Sequence, residues 1–167
     1  MSYDRRMHRL VLVASLAAAL PAHADTPFDR GKLGLSLAVG RQQAFDTSYI
    51  VAGAGVSYFV LDGLAVGLAA QHDFGNGPSI DLVSPSLRYV AQPLVGAWPL
   101  IPYVGAFYDH EFVGGMPDLD GVGARAGLLY VSGRAVLGLG IAVERTISTC
   151  AVDCTTVYPD VTIGIAL

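Results

Sequence analysis

The sequence predicts an all-β fold: a closed eight-stranded antiparallel transmembrane β-barrel. Side-chain character alternates with period two over eight segments of about ten residues. One face of each segment is large, apolar and almost uncharged, while the other is glycine, alanine and serine with a few charges. Twenty glycines in 167 residues weigh against a mostly helical chain, because an interior glycine costs a helix about 1 kcal/mol relative to alanine.

The first residues are read separately. MSYDRRMHR is a basic region, LVLVASLAAAL an apolar stretch too short to span a bilayer comfortably, and PAHA places Ala22 and Ala24 at small-residue cleavage positions. Residues 1–24 are therefore expected to be a signal peptide cut near Ala24, leaving 25–167 as the barrel domain. Of 10 basic and 14 acidic side chains, removal takes Arg5, Arg6, Arg9 and Asp4, leaving 7 and 13 and a net charge of −6. No basic patch remains for nucleic acid.

The strands follow in order. LGLSLAVGRQ sets Leu33, Leu35, Leu37 and Val39 against Gly34, Ser36, Ala38 and Gly40. Next, Ile50, Ala52, Ala54, Val56, Tyr58 and Val60 oppose Tyr49, Gly53, Gly55 and Ser57, and LDG closes a tight turn. Leu64, Val66, Leu68 and Ala70 resume the apolar face opposite Ala65, Gly67, Ala69 and Gln71. Val83, Leu87 and Tyr89 oppose Ser84, Ser86 and Arg88; Val104, Ala106 and Tyr108 oppose Tyr103, Gly105, Asp109 and Glu111. The sixth strand sets Val122, Ala124, Ala126, Leu128 and Tyr130 against Gly123, Arg125 and Gly127. After Ser132-Gly133, Leu137, Leu139, Ile141 and Val143 oppose Gly138, Gly140, Ala142 and Glu144. The last strand sets Val161, Ile163, Ile165 and Leu167 against Tyr158, Asp160, Thr162 and Gly164. Pro85 and Pro159 fall inside strands, where a missing N–H predicts bulges or shifted boundaries.

Which face points outward decides the class. A water-soluble barrel buries its large apolar face; here the small-residue face suits a crowded lumen and the large face suits lipid. Hydrocarbon offers no partner to an open sheet edge, so the barrel must close. An even strand count returns both termini to one side, expected to be periplasmic, as are the short LDG and SG turns and the longer AQPLVGAWPLI connection. Tyr58, Tyr89 and Tyr130 share the apolar face and the C-terminal end of even-numbered strands, predicting an aromatic girdle at the periplasmic rim. Phe45, Phe74, Tyr108 and Phe112 are expected near the opposite rim.

YFVLDGLAVGL, an aromatic-bearing strand end followed by a short turn and an apolar restart, resembles the second hairpin of small bacterial outer-membrane barrels of the OmpA and OmpX type. IPYVGAFYD is similar to the Pro-aromatic-Val-Gly strand start of such proteins. The resemblance covers most of residues 33–167 and implies the outer membrane of a Gram-negative-type bacterium. It also implies contact with outer-membrane lipid, lipopolysaccharide and the assembly machinery. The family usually ends in an aromatic residue, where this chain has Leu167, and no peptidoglycan-binding domain is expected after the barrel. The wall-tethering role is accordingly not carried over.

Function is expected in the lumen or the loops. Arg88, Arg125, Asp109, Glu111, Glu144 and Asp160, with Gln71, collect on the lumen face, where ion pairs are expected because an unpaired buried charge costs several kcal/mol. Eight strands enclose a space just filled by side chains, so a sealed scaffold is favoured over a small gated pore. Catalysis needs a histidine beside a nucleophile or carboxylate, as in outer-membrane barrels that modify lipid A. His72 and His110 have Asp73 and Glu111 next in sequence, but adjacent strand residues point to opposite faces. A non-enzymatic, monomeric protein with a structural or envelope-interaction role and no cofactor is therefore expected, with adhesion or receptor function as the alternative. The outer loops, about 43–48, 74–81, 113–120 and 147–156, hold Asp46, Asp81, Asp118, Asp120 and Asp153. Cys150 and Cys154 in TCAVDCTT read as a small disulfide-closed loop in an exported chain, since a metal site lacks a nearby histidine.

Overall fold

The computed structural model describes residues 26–44, 47–92, 99–148 and 154–167. The period-two segments form eight strands: β1 (Leu33–Ala44), β2 (Thr47–Leu61), β3 (Leu64–Phe74), β4 (Ile80–Val90), β5 (Leu100–Val113), β6 (Leu119–Ser132), β7 (Ala135–Thr146) and β8 (Thr155–Ala166). Each pairs antiparallel with the next, and β8 returns to β1 to close the barrel. The signal-peptide reading over 1–24 lies outside the described residues.

Register fixes the dimensions. Stepping across the sheet from Gly34 leads through Ser57, Gly67, Ser86, Phe107, Gly123, Glu144 and Thr156. Extending the β8–β1 register returns the path to β1 at Ala44, a shear of ten residues. That shear over eight strands tilts them about 40° from the axis and leaves a lumen only wide enough for side chains.

The alternation sorts side chains as its period requires. Leu35, Leu37, Val56, Leu68, Val104, Leu128, Leu139, Ile141 and Ile163 are exposed on the outside, while glycine and serine positions alternating with them, such as Gly55, Gly67, Ser86, Gly127 and Gly140, face inward. An outer surface this apolar would be an aggregation liability in water, and it is what lipid requires. Tyr58 and Tyr130 are exposed on that surface and Tyr89 half-buried, all near the end that carries the termini. Phe74, Tyr108 and Phe112 are exposed toward the opposite end; Phe45 lies outside the described residues.

Several local features depart from the expected pattern. The register shifts by one between Phe59 and Leu61, so Val60 leaves the strict alternation just before the Asp62-Gly63 turn, where Gly63 takes a left-handed φ of 77°. Pro85 causes no bulge: the β4–β5 register is the same at Val83↔His110 and Ser86↔Phe107, with pairing missing only between them. Pro159 pairs with Ile141 of β7 on one side. Its other side faces β1 above the seam, which the described pairing confines to Gly34–Leu37 against Ile163–Ala166. Neither proline therefore has to donate to a ladder it cannot serve.

The connections at the end away from the termini are shorter than expected. Ala44 already pairs with Thr47, and β3–β4 and β5–β6 are joined by residues 75–79 and 114–118. Asp81 and Asp120, expected in loops, belong to β4 and β6. Outward positions at a rim are polar, so the apolar alternation fades there before the strand does. Asp46 and Asp153 lie outside the described residues.

Candidate functional site

The lumen is layered from the termini end upward. Its floor is an apolar cluster of Phe59, Ala65, Val90, Ile101, Tyr103, Leu129 and Val136, into which Phe28 inserts from the segment preceding β1. Phe28 meets Phe59 edge-on at 5.6 Å between ring centroids. The Thr26–Lys32 turn holds it there: Asp29 accepts hydrogen bonds from Thr26 N and Oγ1, both 2.6 Å, Gly63 N donates to Phe28 O at 2.8 Å, and Gly31 N donates to Phe59 O at 2.8 Å.

Above the floor lies a cavity of about 110 Å3, lined by Arg88, Arg125, four serines and Thr162 together with apolar residues that include Phe28, Phe59 and Leu129. The two arginines share one cross-strand row, Arg88↔Gly105↔Arg125. Glycine between them leaves room for both guanidinium groups. Arg125 Nη1 lies 3.6 Å from Asp160 Oδ1 and its guanidinium sits 4.4 Å over the Phe107 ring. Arg88 lies 5.4 Å over the Tyr103 ring, and Tyr103 Oη donates to Asp160 Oδ2 at 2.5 Å. Arg88 makes no ion pair with any described residue.

The upper lumen is acidic. Asp73 and Asp109 are buried, and Glu111 and Glu144 are half-buried. Gln71 Nε2 donates to Asp73 at 3.0 Å and Tyr158 Oη donates to Glu144 at 3.2 Å, while Asp109 Oδ1 is buried without a hydrogen-bond partner. The six charged residues singled out for the lumen are layered: Asp109, Glu111 and Glu144 above, and Arg88, Arg125 and Asp160 below. Only Arg125 and Asp160 form an ion pair among them.

Sequence reasoning missed an outer-face arrangement. His72 and His110 do turn away from Asp73 and Glu111, yet each meets an acid on the neighbouring strand. His72 Nδ1 lies 2.7 Å from Asp81 Oδ1, its register partner on β4. His110 Nδ1 lies 2.7 Å from Asp120 Oδ1, its partner on β6, which also accepts from Tyr108 Oη at 2.5 Å. Each imidazole packs edge-on against the phenylalanine two residues on, Phe74 or Phe112, at 4.4 Å. The signal was a repeat: His-acid-Phe occurs at 72–74 and again at 110–112. No group of three potential metal ligands forms among the described residues. Cys154 precedes β8; Cys150 lies outside the described residues.

The architecture is that of the small eight-stranded outer-membrane β-barrels. Over 83% of its length the chain is similar to 98% of the N-terminal β-barrel domain of Pseudomonas aeruginosa OprF, with a TM-score of 0.62 and 14% sequence identity. It is similar over 81% of its length to 95% of Neisserial surface protein A, NspA, with a TM-score of 0.54 and 14% identity. No protein-family model and no curated protein matches the sequence. At these identities the likeness establishes the fold.

Proposed function

We propose that this is a non-enzymatic outer-membrane β-barrel protein with a structural or envelope-interaction role, its lumen sealed by side chains. The reading rests chiefly on the inversion of the barrel: an exposed apolar belt outside, and inside a lumen floored by Phe28, Phe59, Val90 and Leu129. It belongs in the outer membrane of a Gram-negative-type bacterium after cleavage near Ala24, with both termini periplasmic. It is a monomer there, meets outer-membrane lipid and lipopolysaccharide, and is inserted by the assembly machinery. Cys150 and Cys154 close the last outer loop as a disulfide.

The outward His–Asp pairs do not argue for catalysis. His110 Nε2 has Asp118 Oδ2 at 3.9 Å, a carboxylate and not a hydroxyl or thiol that the imidazole could activate. A lipid A acylation profile unchanged by expressing the protein is the expected outcome; a changed pattern overturns the non-enzymatic reading. The cavity of about 110 Å3, with Arg88, Arg125 and serines in its lining, favours a gated pore as second reading. Heat-modifiable gel migration of the detergent-extracted protein tests the barrel, and planar-bilayer recording separates the two readings. A shift on boiling with no steady current supports the sealed scaffold, while steady current supports the pore.

A further inference from the structure

We propose that the cavity above the lumen floor is a binding site for a small oxyanion, with Arg88 as its principal ligand and Arg125 as the second. The first ground is charge. Arg88 and Arg125 flank Gly105 in one row, and Asp160 is the one carboxylate paired with either of them, through Arg125. Asp160 also accepts the Tyr103 hydroxyl, so its oxygens are already engaged. The lower lumen thus holds two cations against one anion, and the excess charge sits on Arg88.

The second ground is geometry. Arg88 lines the cavity that Ser36, Ser57, Ser84, Ser86 and Thr162 line with it. A guanidinium presents several N–H donors in a rigid fork matched to two oxygens of a tetrahedral or planar anion, and hydroxyls add donors that rotate to suit. About 110 Å3 admits an anion of phosphate size. One carboxylate borders the cavity: Asp109, four residues along β5 from Gly105 and about 13 Å along the strand, hydrogen-bonds Ser84, which places the anion at the arginine row and not beside Ser84. The Tyr103 ring lies 5.4 Å from the Arg88 guanidinium, a cation–π contact that uses none of its N–H donors. Such a site operates whether the lumen is sealed or gated.

Equilibrium dialysis against radiolabelled inorganic phosphate tests the site, using the full chain refolded in maltoside micelles at constant ionic strength, with folding verified by unboiled gel migration. Wild-type protein is expected to bind about one phosphate per barrel saturably. Arg88→Gln should weaken binding at least tenfold, and Arg134→Gln, in the exposed β6–β7 turn, should leave it unchanged. Absence of saturable uptake by folded wild type, undiminished uptake by R88Q, or equal loss in R134Q each overturns the assignment. If R88Q does not fold, Arg88→Lys takes its place: it keeps the charge and loses the fork. It is expected to bind at least tenfold more weakly, and wild-type affinity in R88K overturns the assignment equally.

Discussion

Tyr103 on β5 donates its phenolic hydrogen to Asp160 on β8 at 2.5 Å, and Asp160 in turn faces Arg125 at 3.6 Å. A strand from each side of the barrel is thereby tied to one carboxylate in the lumen. Removing the phenolic hydroxyl, Tyr103→Phe, deletes one charge-assisted hydrogen bond, expected to cost about 1.5–3 kcal/mol. Asp160→Asn leaves Arg125 without its anion beside an already unpaired Arg88, expected to cost about 3–5 kcal/mol. Urea unfolding of the refolded barrel in lipid vesicles measures both. Equal losses would show that Asp160 acts through Tyr103 alone.

Gly127 on β6 and Gly140 on β7 are register partners facing the lumen. A Cβ on Gly127 would collide with the Leu139 carbonyl and the Gly140 Cα, backbone atoms that cannot swing aside. Gly40 on β1 has nothing within 4 Å of the corresponding position. Gly127→Ala is therefore expected to destabilise by about 1–3 kcal/mol, and Gly40→Ala to change stability by no more than about 0.5 kcal/mol. Thermal midpoints in micelles, read by loss of the unboiled band, distinguish them; similar shifts in both would mean that barrel glycines act through β-propensity and not through space.

The same two glycines show how much the sequence discloses. Alternation alone put Gly127 and Gly140 inward, and with them Arg88, Arg125, Asp109 and Glu144, because a strand's period admits no other choice once one face must meet lipid. Height along the barrel was not legible, since it depends on a shear that accumulates strand by strand. Arg88 and Glu144 could be assigned to one lumen but not to different layers of it. Cross-strand partners fail for the same reason: His72 meets Asp81 only through the β3–β4 register. The Phe28 insertion was invisible for another reason, because Thr26–Lys32 has no strand pattern and its position is set by turn hydrogen bonds.

That insertion is energetically testable. Phe28 is buried and stacks edge-on against Phe59 at 5.6 Å. Phe28→Ala and Phe59→Ala are each expected to cost about 3–5 kcal/mol as buried aromatic truncations. A double-mutant cycle should return about 1 kcal/mol of coupling for the ring pair. Coupling near zero, with Phe28→Ala itself nearly neutral, would mean that the preceding segment does not occupy the lumen floor in the membrane.

Orientation is decided by the connections. Asn76 is exposed in the 75–79 connection between β3 and β4, and Arg134 is exposed in the β6–β7 turn at the opposite end of the barrel. With both termini periplasmic, N76C should react with a membrane-impermeant maleimide on intact cells, and R134C only after the outer membrane is permeabilised. The reverse order would invert the barrel. Wild-type protein supplies the background and tests the proposed bridge between Cys150 and Cys154. A closed disulfide has no thiolate to attack maleimide, so wild type should stay unlabelled until reduced, and labelling without reductant would show the two cysteines to be free thiols.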